Sequence, residues 1–406
     1  MKIRFAFILL TKGIFGGAER RFTQLLEYLI SKFPDQYYLI VTKQLYDKIL
    51  KMYPKFPVKY LLIVGENSST NRRNNYTARS YTSFQDEHLP LVKQVYRFLK
   101  NYKIQKGYFR EIERIKKEKH IKCFLGIYSG ILPLYFYLQK KKRDVSVIFC
   151  NMDSWFDDVL PEQKKFWYRK YSSFNYALKK SDYIDFLSPF ILEGIRNRGI
   201  KVKDGSVSIT PCSFTDYSKC RIGDKTIFQV AFAGRLEKDK NPELFIEAAI
   251  ILSKKYPEII FHIMGEGAFF YNVKERVLES KASNILFHGF HPQPTEILAD
   301  TSVFVSIQTT NNYPSQSVLE AMACGNAIIA TDVGDTRMFV NENNGILIKL
   351  DVLELAGAIE KLYKNKELCQ KLGDFAYKYV RENHNIQKVA NYYINLFQQS
   401  SSKFRN

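Results

Sequence analysis

The stretch from Ser302 to Asp335, SVFVSIQTTNNYPSQSVLEAMACGNAIIATDVGD, limits what this chain can fold into more than any other. Ser302 to Gln308 is an apolar run of strand length, rich in Val and Ile. A polar loop, Thr309 to Pro314, leads to Ser315 and a short helix over Gln316 to Cys324, built from Val, Leu, Glu, Ala and Met and stopped by Gly325. Ala327 to Thr331 reads as a second strand. Strand, loop, helix, strand in this order predicts one βαβ unit of a parallel sheet. Ligands of such sheets sit beyond the carboxyl ends of the strands, which makes the 309–317 loop and the first helical turn a candidate ligand site. The N–H groups around Ser315, Ser317 and Val318 suit phosphate oxygens. Glu320, about one turn further in, suits a sugar hydroxyl.

The same grammar runs through the chain. Ile3 to Leu10 reads as a strand entering a loop that holds Gly13, Gly16 and Gly17. A helix follows from near Ala18, with Phe22, Leu25, Leu26, Leu29 and Ile30 on one face. The glycines do not form G-x-G-x-x-G, which argues against a dinucleotide cofactor. Further strands are expected at Tyr37–Thr42, Lys59–Val64, Ile121–Ile127, Val145–Asn151 and Tyr183–Leu187, with a long polar loop over 65–89. Ile227 to Ala233 opens a second series and runs into Gly234, Arg235 and Lys240, with a helix after Asn241-Pro242. Ile259 to Met264 meets Gly265-Glu266-Gly267, where backbone can approach a ribose or base closely. His288 and His291 flank a turn without Cys or paired carboxylates, so we read them as structural and assign no metal site. From Asn344-Gly345-Ile346 onward the chain reads as helical to its end, the last helix being Ile386 to Phe397.

With 406 residues, two domains of ordinary size can each hold a core. The charge is unusual: 61 Lys+Arg against 41 Asp+Glu gives +20. Such a balance favours an anionic membrane surface or a nucleic acid, and composition does not choose between them. Residues 91–120 read as a helix heavy in Lys and Arg, interleaved with Tyr96, Phe98, Tyr102, Tyr108 and Phe109. That mix suits either a solvated face or a surface resting on anionic headgroups. No nucleic-acid motif accompanies it, so no nucleic acid is expected. Six scattered cysteines without a C-x-x-C pair fit a reducing cytosol, with Cys324 as a core residue. The opening MKIRFAFILL reads as a strand rather than a signal peptide, and no run approaches the ~20 apolar residues of a membrane span.

The run PSQSVLEAMACG…AIIATDVG resembles the donor-sugar motif of GT-B glycosyltransferases, and within them the retaining family four, glycosyl transferases group 1. The likeness is strong from about 225 to 395 and weaker before. It implies an α/β fold of two Rossmann-like β/α/β domains facing a central cleft: an acceptor-side domain over 1–200 and a nucleotide-sugar domain over 201–385. The last helix, 386–406, would pack back on the first. In G-R-L-x-x-x-K, Gly234, Arg235 and Lys240 resemble the family's phosphate grip. There, fixed cations take the charge left on the diphosphate when the sugar departs. Gly16 and Gly17 resemble the glycine loop that faces the cleft, while Gly265 and Glu266 lie in the donor-binding pattern. Asp153 is the residue that matches an acid-base position where relatives carry a histidine, often followed by Asp. Family members usually place two glutamates eight positions apart, the first on the sugar and the second on the ribose. Glu320 matches the second, and Asn312 stands eight positions before it. An amide there can still bind sugar hydroxyls, but a negative charge near the anomeric carbon is lost.

The resemblance thus implies a metal-independent, retaining hexosyltransferase without a cofactor. Its donor would be a nucleotide-diphosphate sugar and its acceptor a glycan or glycolipid of surface polysaccharide or lipopolysaccharide synthesis. It would be cytoplasmic, peripheral on the inner face of the plasma membrane. The absence of D-x-D argues against the metal-dependent alternative plan. A GT-B epimerase or phosphorylase, and a non-catalytic nucleotide-sugar or nucleic-acid binder, remain as other readings.

Overall fold

Apolar strands alternating with amphipathic helices build two separate all-parallel sheets. The structure is a computed structural model that describes residues 3–11, 15–65, 91–152, 169–203, 205–311 and 313–402. The polar loop read over 65–89 lies outside the described residues from 66 on, as do Asp153 and Asn312. The chain divides into two compact units, Met1–Pro211 with Gln387–Asn406, and Cys212–Ile386.

The first unit begins with β1 (Arg4–Leu9), α1 (Gly17–Lys32), β2 (Tyr37–Thr42), α2 (Lys43–Met52), β3 (Leu61–Val64) and α3 (Leu91–Lys119). It continues with β4 (Ile121–Ile127), α4 (Ile131–Leu138), β5 (Ser146–Asn151), α5 (Arg169–Lys180), β6 (Tyr183–Phe186), α6 (Pro189–Asn197) and β7 (Val207–Ile209). Its strand order is β3-β2-β1-β4-β5-β6-β7. Strands such as YYLIVT of β2 are buried along their whole length, as expected where both faces of a sheet are covered. The resemblance implied a division of the chain at 200/201. Instead β7 pairs with β6 through Ile184↔Val207 and Phe186↔Ile209, so it closes the first sheet and the boundary falls after Pro211.

The second unit holds β8 (Gln229–Ala233), α7 (Pro242–Lys255), β9 (Ile260–Met264), α8 (Phe270–Ser280), β10 (Ile285–Gly289) and α9 (Pro294–Asp300). After these come β11 (Val303–Ser306), α10 (Gln316–Ala323), β12 (Ala327–Thr331), β13 (Gly345–Ile348), α11 (Val352–Lys364) and α12 (Lys366–Asn383). The order is β10-β9-β8-β11-β12-β13. The helical reading from residue 344 onward fails at its start. Gly345–Ile348 pairs with β12 through Ile328↔Gly345 and Ile329↔Ile346 as the edge strand, and helix resumes only where Asp351 caps α11. Pairing with the neighbouring strand overrode the local pattern. Phe245, Ile246, Phe261, Ile263 and Leu355 fill the core on one side of this sheet, and Val318, Leu319, Met322 and Cys324 the other. Each such side chain contributes about 1.5–3 kcal/mol.

The final helix, α13 (Ile386–Ser402), belongs from Gln387 to the first unit. Phe397 lies 4.8 Å from the Phe5 ring and 5.2 Å from that of Phe7. The Tyr393 hydroxyl donates to buried Asp185 at 3.0 Å, and Thr210 donates to the same carboxylate at 3.1 Å. Burial pushes the Asp185 carboxyl up, against the hydrogen bonds from Tyr392 and Tyr393. All six cysteines are buried and free.

Candidate functional site

In the second sheet the strand order reverses between β8 and β11. A crevice opens there, beyond the carboxyl ends of the strands, as at the switch point of any doubly wound sheet. Ala233, Gly234, Lys240, Gln308, Ser315 and Ser317 are among the residues that line it. Four of them were singled out from the sequence as donor-site or catalytic residues: Gly234, Lys240, Ser315 and Ser317.

The first wall is the loop after β8. It turns through Gly234-Arg235-Leu236 into a tight turn at Lys238–Lys240, and Asn241 takes the left-handed conformation before Pro242 starts α7. This loop is fixed by the one after β9. The Gly234 N–H donates to Met264 O at 3.1 Å, Leu236 N–H to Glu266 O at 2.9 Å, and Phe269 N–H back to Leu236 O at 2.9 Å. A Cβ on Gly265 would stand 1.9 Å from the Gly234 oxygen, and one on Gly267 2.4 Å from that of Leu236. Both glycines also hold positive φ, +149° and +158°. The backbone they admit is therefore this chain's own loop, where the sequence suggested room for a ribose or base. Glu266 and Arg235 are exposed. The Arg235 guanidinium takes no ion pair among the described residues.

The second wall is the loop after β11 and the start of α10. Lys240 Nζ donates to Gln308 Oε1 and lies 3.6 Å from the Asp239 carboxylate. The Thr309 N–H donates to Asp239 O at 3.2 Å, so the two loops are stitched across the switch point. Buried Thr331, at the end of β12, braces Gln308 twice: its hydroxyl accepts from Gln308 N–H at 2.8 Å and donates to Gln308 O at 2.9 Å. Asn311 Oδ1 accepts from the N–H groups of Tyr313 at 3.2 Å and Asp335 at 3.0 Å, tying the loop to the turn after β12. Ser315 is the N-cap residue of α10 without a side-chain cap bond, and its hydroxyl meets that of Ser317 at 3.1 Å. The first turn of α10 thus offers backbone N–H groups at its positive end. Val318 is buried beneath it. Glu320, also buried, accepts from the Thr215 hydroxyl at 3.2 Å, and Gln316 Nε2 donates to Phe214 O at 2.9 Å.

A half-buried cation, a helix amino terminus and two hydroxyls around one crevice form an arrangement that binds anions. Sequence reasoning missed Gln308 and Thr331. The signal was present: each is the polar residue that follows or ends a buried apolar strand at its carboxyl end. Gly16 and Gly17 lie in the first unit. The Gly16 N–H donates to the Glu19 carboxylate at 3.0 Å, and Gly17 begins α1. Asp153 and Asn312 lie outside the described residues.

His288 joins a polar chain away from the crevice loops. His262 Nε2 donates to Gln229 Oε1 at 2.7 Å, which leaves its Nδ1 to accept from His288 Nε2 at 3.0 Å. Burial, then neighbouring His288, lowers His262 to about 4. Among the described residues no three His, Cys, Asp or Glu side chains gather where they could hold a metal ion.

Residues 222–379 match the family model of glycosyl transferases group 1. That segment contains every crevice residue named above. Putative glycosyltransferase EpsD of Bacillus subtilis is 36% identical over 151 residues, which cover 36% of this chain and 39% of that protein. The poly(ribitol-phosphate) alpha-N-acetylglucosaminyltransferase of Staphylococcus aureus is 25% identical over 301 residues, 70% of this chain and 57% of its own. The chain therefore spans less than two thirds of either relative. The crystal structure of Anabaena HepE in complex with UDP superposes with a TM-score of 0.72 at 13% identity, over 98% of this chain and 100% of that one. At that identity the likeness is one of fold. Two Rossmann-like domains, the GT-B architecture, is what this chain shares with it.

Proposed function

We propose that this chain is a retaining, metal-independent glycosyltransferase. It moves a hexose from a nucleoside-diphosphate sugar to a lipid-linked glycan acceptor of surface polysaccharide or lipopolysaccharide synthesis, working in the cytoplasm at the inner face of the plasma membrane. The observation that carries this reading is the crevice in which Lys240 and the first turn of α10 face one space at the switch point of the second sheet. When the bond between the anomeric carbon and the diphosphate breaks, the electron pair goes to the departing phosphate oxygen. Lys240, Arg235 and the N–H groups of Ser315, Ser317 and Val318 then stabilise that charge, the electrostatic term that dominates most such barriers. Gln308 holds Lys240 in place until the phosphate arrives. Glu320, set by Thr215, receives the ribose hydroxyls, and Gly234 with the Gly265-Glu266 turn keeps the loop close to the donor. Asn312 meets the sugar in place of a carboxylate, and Asp153 with the Gly16-Gly17 turn serves the acceptor side. Support for a uridine nucleotide comes from the UDP in the HepE structure, and for a polymer acceptor from the poly(ribitol-phosphate) enzyme. Retention rests on the family resemblance.

The test is calorimetric titration with UDP, GDP, ADP and CMP, in EDTA, on the wild type and on Lys240→Ala. One nucleoside diphosphate is expected to bind in the micromolar range and to weaken by roughly 10- to 100-fold in the variant, as for loss of a charge-assisted contact. Equal binding by the variant, or no binding of any nucleotide, overturns the proposal.

A further inference from the structure

Helix α3 spans Leu91–Lys119, about 43 Å at the usual rise. One side packs on the first unit. The Phe109 ring lies 5.2 Å from that of Phe136 and 4.9 Å from that of Tyr137, Ile112 and Ile115 are buried, and Lys116 pairs with Asp144 at 2.8 Å. On the opposite side, steps of three and four residues pick out one line: Val92, Tyr96, Leu99, Lys103, Lys106, Arg110, Arg114 and Lys117. All eight are exposed. The line divides by chemistry. Its first three members are apolar or aromatic and stand 78%, 66% and 57% exposed, while its last five are cations.

None of these five cations takes an ion pair among the described residues. The acidic residues of the helix are turned aside and engaged. Glu113 pairs with Lys116 at 3.2 Å and Lys140 at 2.6 Å, Glu118 pairs with Lys119 at 2.9 Å, and Glu111 accepts from Gly65 N–H at 2.7 Å. Lys141 and Lys142, both exposed after α4, follow Lys140 and extend the positive field.

We infer that this outer line of α3 is a docking surface for a bilayer rich in anionic lipid, the helix lying along the interface. The cations would meet headgroup phosphates over about four turns, and Val92, Tyr96 and Leu99 would enter the boundary between headgroups and acyl chains. Apolar and aromatic side chains at the headgroup boundary, with Lys and Arg at headgroup level, are the contacts by which a helix is held at a membrane surface. A soluble polyanion satisfies the five cations but leaves three large apolar side chains in water, and a bilayer covers both halves of the line. The inference stands on the first unit alone and does not need the transferase reading.

Cosedimentation of the full chain with vesicles tests it, comparing pure phosphatidylcholine with a mixture containing about a third phosphatidylglycerol. Binding is expected only to the anionic vesicles and to weaken in high salt. Each cation near such a surface is worth about a fivefold gain, so Lys106→Gln/Arg110→Gln/Arg114→Gln should weaken binding on the order of 100-fold. These positions are exposed, and unchanged far-UV circular dichroism together with unchanged nucleotide titration would show that the variant is folded and its crevice intact. Tyr96→Ser/Leu99→Ser should also release the protein from anionic vesicles. Binding to phosphatidylcholine alone, or full binding by the triple variant, overturns the inference. So does a result in which the triple variant loses binding, the serine pair changes nothing and heparin competes: that marks a site for soluble polyanions.

Discussion

Replacing Gly265 by alanine should damage both stability and ligand binding through one contact. The new Cβ would stand 1.9 Å from the Gly234 carbonyl oxygen, where real contacts stay beyond 3.0 Å, so Gly234 has to retreat by about 1.1 Å. The retreat pulls on two bonds that join the two loops, Gly234 N–H to Met264 O and Leu236 N–H to Glu266 O. A φ of +149° adds strain of about 1–3 kcal/mol for a residue with a side chain. With the clash, about 3 kcal/mol is lost from the second unit, a fall of roughly 6–12 °C in its melting temperature for a domain of this size. The displaced loop carries Arg235 and leads to Lys240, so the movement should lengthen their charge-assisted contacts to a bound diphosphate and weaken its affinity by roughly 10-fold. Differential scanning calorimetry reads the first effect and nucleoside-diphosphate titration the second. A melting temperature within ~2 °C of wild type, with unchanged nucleotide affinity, would refute the argument that Gly265 exists to admit this chain's own loop.

Two more expectations follow from the same unit. Thr331→Val keeps the shape but leaves the Gln308 N–H and C=O without their buried partner, and should cost about 2–4 kcal/mol while loosening Lys240; thermal unfolding and nucleotide titration together check it. His262, held at about 4 by burial and by His288, stays neutral in the folded unit while the unfolded chain protonates below about 6.5. Stability should therefore be full above pH 6.5 and fall toward pH 4 by up to about 3 kcal/mol, and His262→Gln should flatten that slope in denaturant titrations at each pH.

Much of the fold could be read from residue order because parallel strands buried on both faces are continuous apolar runs. Tyr37–Thr42, Ile121–Ile127 and Ala327–Thr331 stand where the sequence predicts them. β13 was lost because four residues, GILI, carry no periodicity strong enough to separate strand from helix. α2 and α8 passed unread for a similar reason: each is short, and its apolar residues serve one narrow face. Within the site, Lys240, Ser315, Ser317 and Glu320 announce themselves by residue type at a strand-to-helix turn. Gln308 does not, since a glutamine after a strand has no meaning until its partner is known.

The sequence by itself determined the alternation of strand and helix, the glycine turns at the strand ends and the cations and hydroxyls at the carboxyl ends of β8 and β11. These are local properties, set within a few residues by burial, capping and backbone freedom. Only the tertiary structure decided that β8 lies beside β11, and so that Lys240 meets Gln308 across 68 residues of chain. Which parallel strands become neighbours depends on how the crossover helices pack on the two faces of the sheet. That is a property of all the elements together, and no short stretch of sequence encodes it.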